Sequence, residues 1–242
     1  MPGGREAKFG PVVAISPTRP GRPDNAADRA AARRVDGEQN RLFLDAMFHG
    51  EYPADIVTRY KEATRGWAFV LEGDMAAIHT PSDFFGLNYY NPTLVSAGPD
   101  DGIALPPPLG PTTAMGWPID PAGIYEVLTR LRREYTGNLP IVVSENGASF
   151  RDYLDPEGAC HDPERVDFLR AHLREAHRAL AEGVPLAGYF VWSLLDNFEW
   201  DGGYKERFGL VYTEYATQRR VSKDSYAWYK GVIRAGGIDV AG

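Results

Sequence analysis

Apolar residues recur along this chain in two rhythms. Short runs in which nearly every position is apolar read as buried strands, and stretches with apolar residues three and four apart read as helices packed by one face. The first run, over 12–16 and bounded by prolines and glycines, predicts a strand. An alanine-rich helix is predicted over 25–34. A second follows over 40–48, where Leu42, Phe43, Ala46 and Met47 share helical spacing. Pro53 suits a first helical turn, with Ile56, Val57 and Tyr60 on one face. The aromatic run over 84–90 predicts a buried strand. Residues 91–118, rich in proline and glycine, form a long connection expected to lack regular structure. Within it, 97–110 is read as a flexible loop, functional or disordered.

The second half is more regular. Asp120-Pro121 sets up a capped helix start, and Ile124, Leu128, Leu131 and Tyr135 continue one face. The apolar strand over 141–143 stops at Ser144-Glu145-Asn146-Gly147. A long helix opens at Asp162-Pro163 and runs to 181 on a face made by Phe168, Leu169, His172, Leu173, Ala176 and Leu180. A buried strand precedes Trp192, another lies over 208–215, and a last helix near the C-terminus is closed by glycines. Strands alternating with helices predict an α/β fold with a parallel sheet. Doubly wound sheets and barrels both fit the order. No glycine-rich phosphate loop follows the first strand, and polar residues sit at the C-terminal ends of separate strands, which favours a TIM-type (β/α)8 barrel. Only about four barrel strands can be counted, where a closed barrel needs eight.

Composition narrows the function. With 26 basic and 33 acidic side chains the net charge is −7, which speaks against nucleic acid as a partner. One cysteine in 242 residues allows no internal disulfide, and the length suits a single domain. No apolar run reaches the roughly 20 residues of a membrane helix, and the absence of an apolar leader core gives a cytoplasmic expectation. The histidines show no metal-ligand spacing, and no cofactor signature is present. Thirteen tyrosines, 11 phenylalanines and five tryptophans, many beside carboxylates and amides, suit either a sugar ligand or an ordinary aromatic core.

Three places could carry chemistry. Glu145, directly after an apolar strand, is either a carboxylate at the sheet rim or a nucleophile or general base held at a strand end. The segment 192–200 packs Trp192, Asp196, Asn197, Phe198, Glu199 and Trp200 together. It is either a buried aromatic corner or a platform for an apolar sugar face, with Glu199 and Trp200 meeting hydroxyls at its edge. Phe208 suits the wall of such a pocket or the core equally. Asn88 and Tyr90 alternate on their strand, so their side chains point the same way, toward the core or toward a site.

Taken together, "ARRVDGEQNRLFLDAMFHGEYP", "DFFGLNYYNP", "TTAMGWPIDPAGIY", "PIVVSENGASF", "GYFVWSLLDNFEWDGGYKERFGLVY" and "SKDSYAWYK" resemble glycoside hydrolase family 1, the retaining β-glucosidase-type enzymes. The resemblance spans residues 10–234 and starts at the family's fifth barrel strand. It implies the C-terminal half, about strands 5 to 8, of a (β/α)8 barrel acting on β-glycosides or oligosaccharides. It further implies Glu145 as nucleophile, Tyr90 as its hydrogen-bonding support, and Asn88, Trp117, Trp192, Glu199, Trp200 and Phe208 as substrate-binding residues. Trp117 would stand near the aglycone side. The Glu199-Trp200 pair implies an unphosphorylated sugar, glucoside or galactoside, since a carboxylate there repels a 6-phosphate. The family's acid/base lies in an Asn-Glu-Pro motif that this sequence does not contain; Glu51 and Glu72 lack the strand-end context to replace it. The expectation is a chain that is catalytically incomplete or a noncatalytic sugar-binding remnant, and that needs a complementing N-terminal half or self-association.

Overall fold

The computed structural model describes residues 7–64 and 66–238. The elements run β1 (Val12–Ala14), β2 (Thr18–Pro20), α1 (Ala26–Asp36), α2 (Leu42–His49), α3 (Ala54–Thr64), α4 (Asp74–Ile78), β3 (Phe85–Asn88), β4 (Thr93–Ala97) and β5 (Ile103–Ala104). Then come α5 (Pro121–Leu131), β6 (Ile141–Asn146), α6 (Pro163–Ala181), β7 (Leu186–Val191), β8 (Val211–Glu214), β9 (Arg219–Ser222) and α7 (Asp224–Ala235). Strands β1, β3, β6 and β7 form one parallel sheet in that order, each joined to the next through helices. These are four of the eight units a closed barrel needs.

Strand alternation sorts the two faces of this sheet. Phe85, Leu87, Tyr89, Ile141 and Val143 turn to the helices and bury against Ile124, Val127, Leu128 and Leu131 of α5, Ala176 and Ala179 of α6, and Leu44 of α2. On the opposite face a Cβ placed on Gly188 would stand 3.5 Å from the Phe190 ring and 3.6 Å from Val142. There Phe190 is 61% exposed and Val12 52% exposed. Strands β1 and β7 each pair on one side only among the described residues, so the sheet has two open edges and one uncovered apolar face. Among the described residues no helix is long and apolar enough to cross a membrane.

Several elements depart from the sequence reading. The two helices expected over 25–34 and 40–48 are one helical run, joined by a π-helical turn, Gly37–Arg41. Asn25 caps it, accepting from the Asp28 N–H. The connection 91–118 is not without structure. It contains β4, which pairs in parallel with β2 and antiparallel with β5. This small sheet packs against α1 through Val95, Ala31, Ala32 and Val35. Buried Asp28 locks it by accepting from Arg22, Ser96 and the Ala97 N–H. Residues 208–215 yield only β8, which pairs with β9 away from the main sheet. The two Asp-Pro starts are real helix starts, but neither aspartate side chain caps its helix. Asp120 pairs with Arg19 at 2.7 Å, and Asp162 binds Arg165 and Ser225 instead. A charged partner outcompetes the local backbone for each carboxylate, partly exposed Arg19 at Asp120 and buried Arg165 at Asp162.

Candidate functional site

The site begins with an irregularity in β6. The strand does not stop at Val143 as its apolar run suggests; it continues to Asn146. Against β3, Leu87 pairs with Val143 but Asn88 pairs with Glu145. Against β7, Tyr189 pairs with Val143 while Val191 pairs with Asn146. Thus, between Val143 and Asn146, β6 holds one more residue than the segment of either neighbour it faces, a β-bulge that both flanking strands sense. Ser144 donates to Asn88 Oδ1 at 2.8 Å, and Glu145 meets Tyr90. Uninterrupted alternation would send Glu145 to the opposite side from Ser144, into the helix layer. The extra residue keeps both on the open face, while Asn146 turns inward and is fully buried.

The Tyr90 hydroxyl donates to Glu145 Oε2 across 2.6 Å, fixing one carboxylate oxygen. Burial, then the adjacent Glu145, pushes the Tyr90 phenol far above its usual range, so it remains a donor. Its ring meets Trp117 edge-on with centroids 5.6 Å apart and Phe208 at 6.4 Å; Trp117 and Phe208 are themselves 6.0 Å apart. These three rings come from the ends of three separate segments and form one aromatic corner around the carboxylate.

Trp192 follows β7, and its N–H bonds the Asn146 carbonyl at 3.0 Å. The indole hydrogen-bonds Glu199. Burial raises the Glu199 pKa; the Trp192 bond opposes this, and the charges of Glu145 and Glu206 add to the rise. A Cβ on Gly147 would fall 1.8 Å from the Trp192 carbonyl oxygen, so only glycine lets the two strand ends meet here. Trp200 is 82% exposed in a 3-10 turn, and Leu194, Phe198 and Tyr204 around it are also exposed. The site is therefore an open shelf, with no opposite wall among the described residues.

A buried ionic chain anchors the loop that carries Glu199. Asp196 accepts from Arg207 at 2.6 Å, Lys223 at 2.9 Å and the Gly209 N–H at 2.9 Å. Lys223 also reaches Asp152, which pairs with Arg165 at 2.7 Å. Arg165 also pairs with Asp162, so three carboxylates meet three cations here, which tie the loops after β6 and β7 to the starts of α6 and α7. Burial of each charge is offset by at least two partners.

Of the residues singled out in the sequence, Tyr90, Glu145, Trp117, Phe208, Trp192 and Glu199 are brought together. Asn88 joins them through Ser144. Trp200 stands apart in solvent. Glu51 and Glu72 are exposed in the connections either side of α3. Ser144, Tyr189 and Glu206 were not signalled by composition or spacing. Tyr189 lies inside an apolar strand, where a tyrosine reads as packing; only its bond to Asn146 distinguishes it.

The family profile for Glycosyl hydrolase family 1 matches residues 3–238. A bifunctional β-D-glucosidase/β-D-fucosidase of Bifidobacterium breve is 44% identical over 229 residues, covering 85% of this chain and 48% of that protein. The family 1 β-glucosidase of Thermotoga maritima superposes with a TM-score of 0.89 at 39% identity, covering 97% of this chain and 52% of that one. The family 1 β-glucosidase of Exiguobacterium antarcticum B7 gives 0.90 at 40% identity, over 96% and 53%. The chain spans about half the length of the relatives it matches.

Proposed function

Because this chain belongs to glycosyl hydrolase family 1, its four β/α units being part of a (β/α)8 barrel, we propose that it supplies the nucleophile half of a retaining β-glycoside hydrolase. In this reading a Glu145 oxygen attacks the anomeric carbon. A glycosyl ester forms as the bond to the aglycone breaks, and water then hydrolyses the ester. Tyr90 holds the carboxylate in line. Trp192 lies under the sugar ring, Glu199 and Trp200 bind hydroxyls, and Asn88, Trp117 and Phe208 complete the wall. The substrate class is an unphosphorylated β-glucoside or β-galactoside.

The observation that carries the reading is the Tyr90–Glu145 hydrogen bond inside the Trp117–Phe208 corner, with Glu199 close enough to Glu145 to feel its charge. A retaining enzyme also needs an acid/base carboxyl roughly 5 Å from the nucleophile. The sequence lacks the motif that would provide it, and the open face and edges lie where a second wall belongs. We therefore assign the acid to a complementary N-terminal half barrel.

Incubation with a 2-deoxy-2-fluoro-β-glucoside bearing a fluorogenic leaving group tests the nucleophile, because an activated leaving group needs little acid assistance. The expected result is one covalent adduct by intact mass, absent in Glu145→Gln. A folded chain that forms no adduct, alone or mixed with the N-terminal half of the Thermotoga maritima relative, would overturn the catalytic reading and leave a sugar-binding remnant. Native mass in the same mixture separates pairing with that half from self-association.

A further inference from the structure

The bulge that turns Glu145 to the open face leaves the neighbouring backbone without its regular ladder, and one side chain fills the gap. Asn146 Nδ2 donates to the Tyr89 carbonyl just past β3 at 2.8 Å, where a backbone N–H would stand in a continued ladder. The Tyr89 N–H, in turn, bonds the Glu145 carbonyl at 2.9 Å, and the Trp192 N–H bonds the Asn146 carbonyl. The two peptide groups that flank Asn146, directly after Glu145, are thus tied between the ends of three strands. The side-chain bond among these depends on the Asn146 amide keeping one orientation, because a flipped amide would set an oxygen against the Tyr89 carbonyl.

That orientation is set by Tyr189 on β7, whose hydroxyl donates to Asn146 Oδ1. Burial holds the phenol well above its ordinary pKa, so it stays a donor. The backbone of Tyr189 is itself held, since its carbonyl accepts from the Tyr229 hydroxyl of α7 at 3.0 Å. Asn146 is fully buried, so no bulk water can replace the lost donor.

We propose that Tyr189 is a positioning residue for Glu145, acting through the Asn146 side-chain amide. The proposal rests on the reading of Glu145 as nucleophile, but the backbone clamp can be tested without it. Tyr189→Phe removes one oxygen and keeps the ring. Hydrogen exchange should then quicken about tenfold at the Tyr89 and Trp192 amides, the loss expected from one net hydrogen bond, while amides of α5 and of β8 stay unchanged. The rate of trapping by the fluoroglucoside should fall by a similar factor, with no change in the concentration giving half-maximal rate.

Asn146→Asp supplies the second variant. It can still accept from Tyr189 but has no donor for the Tyr89 carbonyl, so it should show the same local loosening. In the double variant the losses should not add, because both changes act on one bridge. Unchanged exchange at Tyr89 and Trp192 in a folded Tyr189→Phe protein would overturn the proposal. So would quickening spread evenly over the sheet, or additive losses. If the wild-type chain forms no adduct, alone or with the N-terminal half of the Thermotoga maritima relative, the catalytic reading fails by itself, and the exchange pattern still decides whether Tyr189 clamps the bulge.

Discussion

Tyr90 and Glu145 lie 55 residues apart, at the ends of two neighbouring parallel strands, and their side chains meet in a 2.6 Å hydrogen bond. The bond joins a phenol that stays protonated to a carboxylate on the open face, and Trp117 and Phe208 shield it on one side. Tyr90→Phe keeps the aromatic corner and removes the donor. A hydrogen bond to a charged group is worth about 1.5–3 kcal/mol, so the trapping rate should fall roughly 10- to 100-fold. Thermal unfolding of the variant should stay near that of the parent; an unaltered trapping rate would count against a supporting role.

Lys223 is fully buried between Asp152 and Asp196. Lys223→Met leaves two buried carboxylates short of a cation and should destabilise the chain by about 3–5 kcal/mol, read as a lower urea midpoint. Arg170→Ala, which breaks an exposed pair with Asp167 on α6, should shift stability by less than about 1 kcal/mol. Equal effects from the two would contradict the buried network as an anchor.

His172 is fully buried, stacked on Phe168 at 3.9 Å, and burial lowers its pKa to about 4. The unfolded chain takes up a proton near pH 6.5 while the native chain does not. Stability is therefore undiminished by this group above pH 6.5 and is lost as pH falls toward 4, by about 3 kcal/mol in all. Urea titrations at pH 7 and pH 4.5 should show this loss in the parent and a flatter dependence in His172→Leu.

Phe190 and Val12 present apolar surface on the uncovered face of the sheet, between two edges that are unpaired among the described residues. Phe190→Lys should reduce concentration-dependent light scattering of the isolated chain, because a charge there opposes burial against another apolar face. Scattering that is independent of this substitution would place the sticky surface elsewhere.

Much of the architecture was legible in the residues. The apolar runs around Phe85, Ile141 and Tyr189 and the helical faces of α5 and α6 announce a parallel sheet under helices, because burial on one face imposes a period that sequence retains. The motifs around Glu145 and Trp192 named the family and the residues to watch. Sequence alone did not carry what depends on contacts across strands. Alternation from Val143 predicts Glu145 on the wrong face, and only the paired registers of β3 and β7 reveal the extra residue that re-aims it. Asp120 looks like a helix cap, yet Arg19 claims it from a distant segment, as Ser225 claims Asp162 at the start of α6. The connection 91–118 looks structureless because β4 gains its order from β2, more than 70 residues earlier. Local pattern encodes which face of an element is buried. The partner that faces it, and hence the direction of the Glu145 side chain or the use of a buried charge, is settled only when distant segments compete for the same groups.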